Sequence, residues 1–383
     1  MAGSIKKRGK DTYRLTVSGG FDHEGKRTRH TKTVKCGSRQ VEKELAKMVT
    51  EIDQGLFIGV TKFTFKTFVE KWLADYAATL APKTFYRYTE VLESRIVPVL
   101  GHLKLENIKP LHVIELVNTL KNTHRIKGRV GLLAPRTVQH HFRILSNVLQ
   151  AAVQWQLIQH NPCARVKPPK VAKSAVVIYD EHQTAQLIRC LESEPLKYKT
   201  LVMLALSSGC RRGEITGLTW ENVDFVNSTI KIVQSSQYLP GKGIFIKTTK
   251  TESSKRLIAI PPFIMAILSK HKIAQNAERL LLGDKWDNLN MVFTTLTGGM
   301  IFPDSVTNWF DKFLKKHGLP HVCFHSLRHL SATLLIDQGI NIKAVSSRLG
   351  HSSVSTTIDI YSHSLQSADR LSADKMEQLF KQA

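Results

Sequence analysis

The sequence predicts a multidomain fold: a small three-stranded sheet plus helix at the N-terminus, an all-α helical bundle in the middle, and a mainly α, mixed α+β domain at the C-terminus. Three observations predict it. Basic and apolar residues alternate with period two in the first 35 residues, apolar residues recur with helical period from Thr61 to about Val171, and helix-like and strand-like segments mix from Ala175 onward. A chain of 383 residues is also too long for one ordinary core. The expected boundaries are 1–58, 61–171 and 172–383.

In the first part, Tyr13-Arg14-Leu15-Thr16-Val17 alternates, Arg27 to Val34 reads as a further strand, and Gly19-Gly20 and His23-Glu24-Gly25 are expected to supply turns. Ser38 can open a helix running through Glu42, Leu45 and Val49. Ten Lys/Arg against three acids in residues 1–35 make this part basic, and such a sheet could lie in a DNA groove with Arg14, Arg27 and Arg29 as contacts. A disordered basic arm is the alternative, against which the aromatic and β-branched content argues.

The middle part places Phe65, Phe68, Val69, Trp72, Leu73 and Tyr76 on one helical stripe, and Val138, Phe142, Leu145, Leu149 and Ala152 on another. Pro82 and Pro135 sit where first helical turns begin, while Pro98-Val99-Leu100-Gly101 is expected to break a helix. Four helices with short connections make a bundle. Lys83, Arg87, Arg136 and Arg143 could face phosphates, although solvated helix faces carry such residues too. Lys167-Pro168-Pro169-Lys170 reads as a stiff, basic linker. Beyond it, helices are expected near His182 to Leu191 and Tyr198 to Ser207, strands at Ser228 to Gln234, Gly243 to Thr249 and Arg256 to Ile260, and helices again from Pro262.

Lys plus Arg number 55 against 31 acids, a formal net charge of +24 spread along the chain, which favours a polyanionic partner. The longest apolar runs, such as Leu201 to Leu206, fall far short of the roughly 20 residues needed to span a bilayer, so nucleic acid is favoured over membrane. No apolar stretch follows Lys6-Lys7-Arg8, so no secretory leader is expected, and the expected location is cytoplasmic, with the nucleoid. Five scattered cysteines suggest neither a disulfide framework nor a zinc site.

The chemistry-bearing residues are widely separated. Gly209 suits a helix C-terminus, so Arg211 falls at the junction with a second short helix whose Ile215, Leu218 and Trp220 can pack inward. Glu214, three residues on, would fix the Arg211 guanidinium as a fork for bidentate phosphate contact; taken alone the two would be a structural ion pair. Ile246 to Ile258 reads as a basic hairpin whose lysine could reach a minor groove and protonate a departing sugar oxygen, Lys250 being preferred over Lys247 and Lys255. His325-Ser326-Leu327-Arg328-His329 starts a helix with Leu327, Leu330 and Leu334 inward and His325 and Arg328 on one face. His325 and His329 have the spacing of a helical metal pair, but a third ligand is not evident. Asn341 can cap a helix from Ile342 to Leu349, Gly350 can end it, and His351 emerges at the bend; Tyr361 follows a Ser/Thr-rich turn from Ser352 to Thr357. One phenol among cationic and hydrogen-bonding groups is what cutting a DNA phosphodiester without a metal requires.

Gly209-Cys210-Arg211-Arg212-Gly213-Glu214, Lys250-Thr251, His325-Ser326-Leu327-Arg328, Leu349-Gly350-His351 and Tyr361 together resemble the signature of the tyrosine recombinase family, the phage-type integrases. The helical bundle resembles that family's core-binding domain, and the basic N-terminal part resembles the arm-binding domain of integrases from phages and conjugative transposons. Cys210 departs from the pattern, which more often has an apolar residue there. The resemblance implies attack of Tyr361 on the scissile phosphate, a 3′-phosphotyrosyl link, Arg211 and Arg328 on the non-bridging oxygens, His325 and His351 as hydrogen-bonding groups, and Lys250 as proton donor to the 5′-oxygen. It further implies double-stranded DNA with core and arm sites as partner, a homotetramer on two duplexes, accessory DNA-bending proteins, and neither ATP nor metal. A type IB-like topoisomerase and a non-catalytic, sequence-specific DNA-binding regulator are the alternatives. Leu365 to Phe380 is expected to form an amphipathic helix that docks on its own chain or on a neighbouring protomer.

Overall fold

The computed structural model describes residues 3–21, 25, 27–53, 63–76, 79–124, 131–172, 177–248 and 255–351, with positions 353, 354, 358, 376, 377, 380 and 381. The chain divides into two compact units, residues 1–173 and 174–383. Among the described residues no helix is long and apolar enough to cross a membrane.

The first unit begins with strands β1 (Gly3–Gly9), β2 (Thr12–Phe21) and β3 (Arg27–Lys35), paired antiparallel in that order. Alternation along β2 turns Leu15 and Val17 toward helix α1 (Ser38–Asp53), where Val41 and Met48 cover them. Arg14 and Arg29 are exposed. They share the opposite face, because Arg14 pairs with Thr33 and Ser18 with Arg29. Arg27 opens β3. Gly19-Gly20 was expected to make a turn but lies inside β2, where the register shifts between Ser18 and Phe21. A glycine pair without side chains to pack tolerates such an irregularity and lets the strand run on.

The helices α2 (Phe65–Asp75), α3 (Pro82–Val91), α4 (Val97–Leu100), α5 (Pro110–Lys121) and α6 (Pro135–Gln154) share one core. Phe65, Phe68, Val69 and Trp72 are buried in it; Leu73 is half-buried, and Tyr76, at the end of the stripe, is 43% exposed. The break expected at Pro98-Val99-Leu100-Gly101 falls at its far end, with Gly101 as C-cap, and not at Pro98 itself. The chain widens into a π-helical turn over Leu92–Ile96, which makes room for the proline ring and its missing N–H, and the helix runs on to Gly101. Lys83, Arg87, Arg136 and Arg143 are all exposed, and Arg87 is paired with Glu90 at 2.7 Å.

The second unit runs through helices α7 (Glu181–Leu191), α8 (Leu196–Ser208) and α9 (Arg212–Thr216), then strands β4 (Val223–Asp224), β5 (Thr229–Ile232), β6 (Gln234–Leu239), β7 (Gly243–Thr248) and β8 (Arg256–Ala259). Helices α10 (Pro262–Leu282), α11 (Pro303–Lys316), α12 (Ser326–Asp337) and α13 (Ile342–Leu349) follow. Leu201, Leu204, Leu268, Phe293, Phe310 and Leu327 are buried in its main core, and a smaller cluster of Ala332, Ile336, Val345 and Leu349 joins α12 to α13. The expected hairpin from Ile246 to Ile258 is not what forms. β7 pairs with β6 and β8 with β5, in two separate sheets ordered β6-β7 and β4-β5-β8. Burial decides the exchange: Ile230, Ile232 and Ile258 lie almost wholly inside the main core, so β5 and β8 share an apolar face that half-exposed β7 could not complete.

Candidate active site

Close backbone packing fixes the first arginine. Helix α8 ends at Gly209, whose φ of 63° is the left-handed cap that favours glycine. A Cβ there would come within 2.5 Å of Leu349 Cδ2, so the glycine also admits α13 to close contact. Helix α9 lies on β6 through Gly213 and Gly217, where added Cβ atoms would sit 2.8 and 2.7 Å from the backbone of Ser236. Arg211, extended and N-capping α9, is held by Glu214: its N–H donates to Oε2 and its Nη1 to Oε1, both at 2.9 Å. Nη2 donates to the Gly350 carbonyl at 3.1 Å, and the side chain remains 42% exposed. The i+3 pairing expected from the sequence is present.

Arg328, on α12, is 2% exposed. Its Nη1 donates to the Gly209 carbonyl at 2.8 Å, while its Nη2 has no acceptor among the described residues. Burial, then the charge of Arg211, push its pKa down to about 10, so it is still a cation at neutral pH. His325, at the N-cap of α12, is lowered by burial and by Arg328 and Arg211. His329 meets it edge-on with ring centroids 4.9 Å apart, and burial, His325 and Arg328 take His329 to about 4. Asn341 caps α13 through a bond from Lys343 N–H at 2.8 Å, Gly350 ends it with φ 68°, and His351 follows. Burial, then Arg328 and Arg211, push His351 down to about 4. Arg328 and Arg211 therefore both act electrostatically on His325 and on His351, with the histidines neutral near pH 7.

Glu214 is the one carboxylate among these groups that the sequence singled out. Burial alone would raise its pKa, but hydrogen bonds and charge from Arg256, with those of Arg211, outweigh burial and hold it below the usual carboxylate range. Arg256 was given no role by the sequence reading, yet it pairs with Glu214 at 2.7 Å with the two side chains 7% and 5% exposed. The available signal was alternation, since Arg256 shares the inward face of β8 with Ile258. Among the described residues no three metal-ligating side chains converge, and the His325–His329 pair stands without a third ligand. Lys250 and Tyr361 lie outside the described residues, as do Ser352, Ser355, Thr356 and Thr357 of the expected turn and most of the tail from Leu365 to Phe380. Of the competing lysines, Lys247 is half-buried on β7 and Lys255 is exposed beside β8.

The profile of the phage integrase family matches residues 178–368, and that of the phage integrase N-terminal SAM-like domain matches residues 64–121. A tyrosine recombinase XerC-like protein of Caldanaerobacter subterraneus subsp. tengcongensis is 26% identical, over 98% of this chain and 98% of its own. The ICEBs1 integrase of Bacillus subtilis is 25% identical, over 98% of this chain and 100% of its own. The fold is similar to that of the Tn1549 transposon integrase in complex with transposon right end DNA, at a TM-score of 0.68 and 20% identity, covering 82% of this chain and 100% of that one.

Proposed function

The chain belongs to the phage integrase family and is a tyrosine site-specific recombinase acting on DNA, and from that premise we propose that it integrates or excises a mobile element through a 3′-phosphotyrosyl intermediate formed by Tyr361. The observation that carries the assignment of the phosphate site is Arg328. A buried guanidinium with an idle donor, in a cluster where, among the described residues, Arg211, Arg256 and Arg328 face the single carboxylate Glu214, calls for an anion. A scissile phosphate supplies that charge and accepts the idle N–H.

In the proposed reaction the Tyr361 oxygen attacks phosphorus in line and the P–O5′ bond breaks. The phenolic proton, held with a pKa of about 10 in the free side chain, passes to a neutral imidazole of His325 or His351. Arg211 and Arg328 neutralise the charge that grows on the non-bridging oxygens, and Lys250 delivers a proton to the departing 5′-oxygen. Attack of a 5′-hydroxyl on the phosphotyrosyl link reverses these steps and reseals the strand. The ester formed stores the energy of the ester broken, so no nucleotide is consumed, and no step calls for a metal. Exchange between two duplexes requires four such cleavages, one per tyrosine, which makes a homotetramer the working assembly, assisted by accessory DNA-bending proteins.

Residues 172–383 form the catalytic domain of this scheme, residues 61–171 grip core DNA through Lys83, Arg87, Arg136 and Arg143, and residues 1–58 bind arm sites through Arg14, Arg27 and Arg29. The exposure of Arg14, Arg29, Lys83, Arg87, Arg136 and Arg143 supports that reading. The reaction takes place in the cytoplasm, on nucleoid DNA.

The test is incubation with nicked suicide duplexes tiled across the DNA that flanks the coding gene. The unaltered chain should yield a covalent adduct mapping to Tyr361, and Tyr361→Phe should shift the same duplex in a gel without forming one. An adduct that persists in Tyr361→Phe would refute the nucleophile.

A further inference from the structure

Two arginines outside the phosphate-facing set meet across the seam between β8 and the end of α13. Arg256 donates from Nη2 to Glu214 Oε2 at 2.7 Å, from Nη1 to Oε1 at 3.4 Å, and from Nε to the Arg348 carbonyl at 2.8 Å. Arg348 reaches the other way, its Nη2 donating to the Ala259 carbonyl of β8 at 3.0 Å and to the Ser207 carbonyl near the end of α8 at 2.9 Å. Each guanidinium thus binds the backbone of the segment that carries the other. A Cβ at Gly350 would lie 2.9 Å from Arg256 Nη1, so that glycine also leaves room for the guanidinium.

Such an arrangement is a poor way to gain stability alone. Arg256 is 7% exposed, the Nε of Arg348 has no acceptor among the described residues, and burial depresses Arg348. Apolar side chains of similar size would fill the seam without desolvating two charges. What the pair does achieve is positional. Arg211 hangs from Glu214 and from the Gly350 carbonyl, the first bound by Arg256 and the second two residues beyond the carbonyl it binds. Arg328 hangs from the Gly209 carbonyl, two residues after the Ser207 carbonyl that Arg348 holds. His351 follows Gly350 directly.

We propose that Arg256 and Arg348 are positioning residues of strand cleavage, locking Arg211, Arg328 and His351 in mutual register around the scissile phosphate without touching it. This rests on the recombinase reading above. A lysine at position 256 keeps the charge beside Glu214 but cannot also reach the Arg348 carbonyl, because an ammonium lacks the planar fork.

The experiment uses the full chain and the nicked duplex that it cleaves best, made with an ordinary scissile phosphate and with a methylphosphonate there. Single-turnover adduct formation is measured for Arg256→Lys, Arg348→Lys and, as reference, Arg211→Lys, alongside duplex affinity and thermal melting. On the ordinary phosphate both positioning variants should lose about 100-fold in rate, the scale of a displacement of roughly an ångström at a reacting centre, with affinity retained. On the methylphosphonate, whose centre carries no charge for the guanidiniums to neutralise, their deficit should shrink by about tenfold, in parallel with that of Arg211→Lys. A rate near the parent's, or a deficit equal on both substrates, overturns the proposal. Arg348→Lys leaves the Arg256–Glu214 pair in place and carries the test if Arg256→Lys does not fold. Absence of any adduct from the unaltered chain would overturn the recombinase reading and this proposal with it.

Discussion

Replacing Glu214 by glutamine changes almost no volume and removes a carboxylate that binds both Arg211 and Arg256. The carboxylate accepts from Arg211 N–H and Nη1 at 2.9 Å each and from Arg256 Nη2 at 2.7 Å, in a side chain 5% exposed. An amide can replace one acceptor, but its NH2 must face one of the two guanidiniums, setting donor against donor. Two charges about 4 Å apart attract by about 4 kcal/mol at an effective dielectric constant of about 20. Stranding one partner of a buried pair costs about 3–5 kcal/mol. Melting of the C-terminal unit should therefore fall by about 6–20 °C, taking about 2–4 °C per kcal/mol for a unit of this size. Arg211, freed from its anchor, should lose about 100-fold in adduct formation at temperatures where the variant is still folded. Differential scanning calorimetry and single-turnover cleavage measure the two effects. The sign with pH is also set: the lowered carboxyl contributes stability above its unfolded value near 4.5 and loses it as pH falls, so Glu214→Gln should flatten the acid limb of the stability curve. A variant that melts with the parent and cleaves at its rate would refute the idea that Glu214 organises the cluster.

Arg211→Lys should bind the duplex yet form adduct about 100–1,000-fold more slowly, as judged by trapping on a nicked site, since an ammonium cannot hold Glu214, the Gly350 carbonyl and a phosphate together. His329 and His351 have folded pKa values near 4, below the ordinary 6.5, so the unfolded chain binds more protons between those values. Stability should fall as pH drops from about 6.5 toward about 4, and His351→Gln should lessen that fall in melting curves. Gly209→Ala should cost at least about 2 kcal/mol in denaturant unfolding, combining left-handed strain with a methyl placed 2.5 Å from Leu349 Cδ2.

Local chemistry was legible where a residue's partner lies within a turn or two of chain. Gly209 and Gly350 announce left-handed helix ends, Asn341 announces a cap, and the i+3 spacing of Arg211 and Glu214 announces an ion pair; all four stand as expected. The stripes of α2 and α6 were legible for the same reason, because helical period converts directly into a buried face. Strand pairing was not. β7 and β8 are consecutive and each alternates, so a hairpin satisfies every local rule; only the competition for the main core, which Ile258 enters beside Ile230, assigns β8 to β5. Arg256 and Arg348 were hidden for a related reason. Each is bound chiefly to backbone carbonyls or to a carboxylate from 42 to 141 residues away, and a carbonyl leaves no mark on sequence. The π turn ahead of Pro98 was invisible because a proline that ends a helix and one that widens it read alike.

The cluster around Arg328 also bears on why an enzyme of this kind holds its charges under strain before substrate arrives. Arg328 sits at about 10, well below an ordinary guanidinium, since burial and Arg211 both oppose its charge while Glu214 is largely committed to two other arginines. Groups free to relax would turn toward water or toward the carboxylate. Here the left-handed caps at Gly209 and Gly350, the Gly209 carbonyl on Arg328 and the β8–α13 seam leave them little freedom to do so. In the proposed reaction an entering phosphate would relieve repulsion that the fold has already imposed, and a phosphorane gathering further negative charge would relieve more of it. The stabilisation then grows along the reaction coordinate and needs no reorganisation at the moment of cleavage, the condition under which fixed donors accelerate chemistry instead of merely binding substrate.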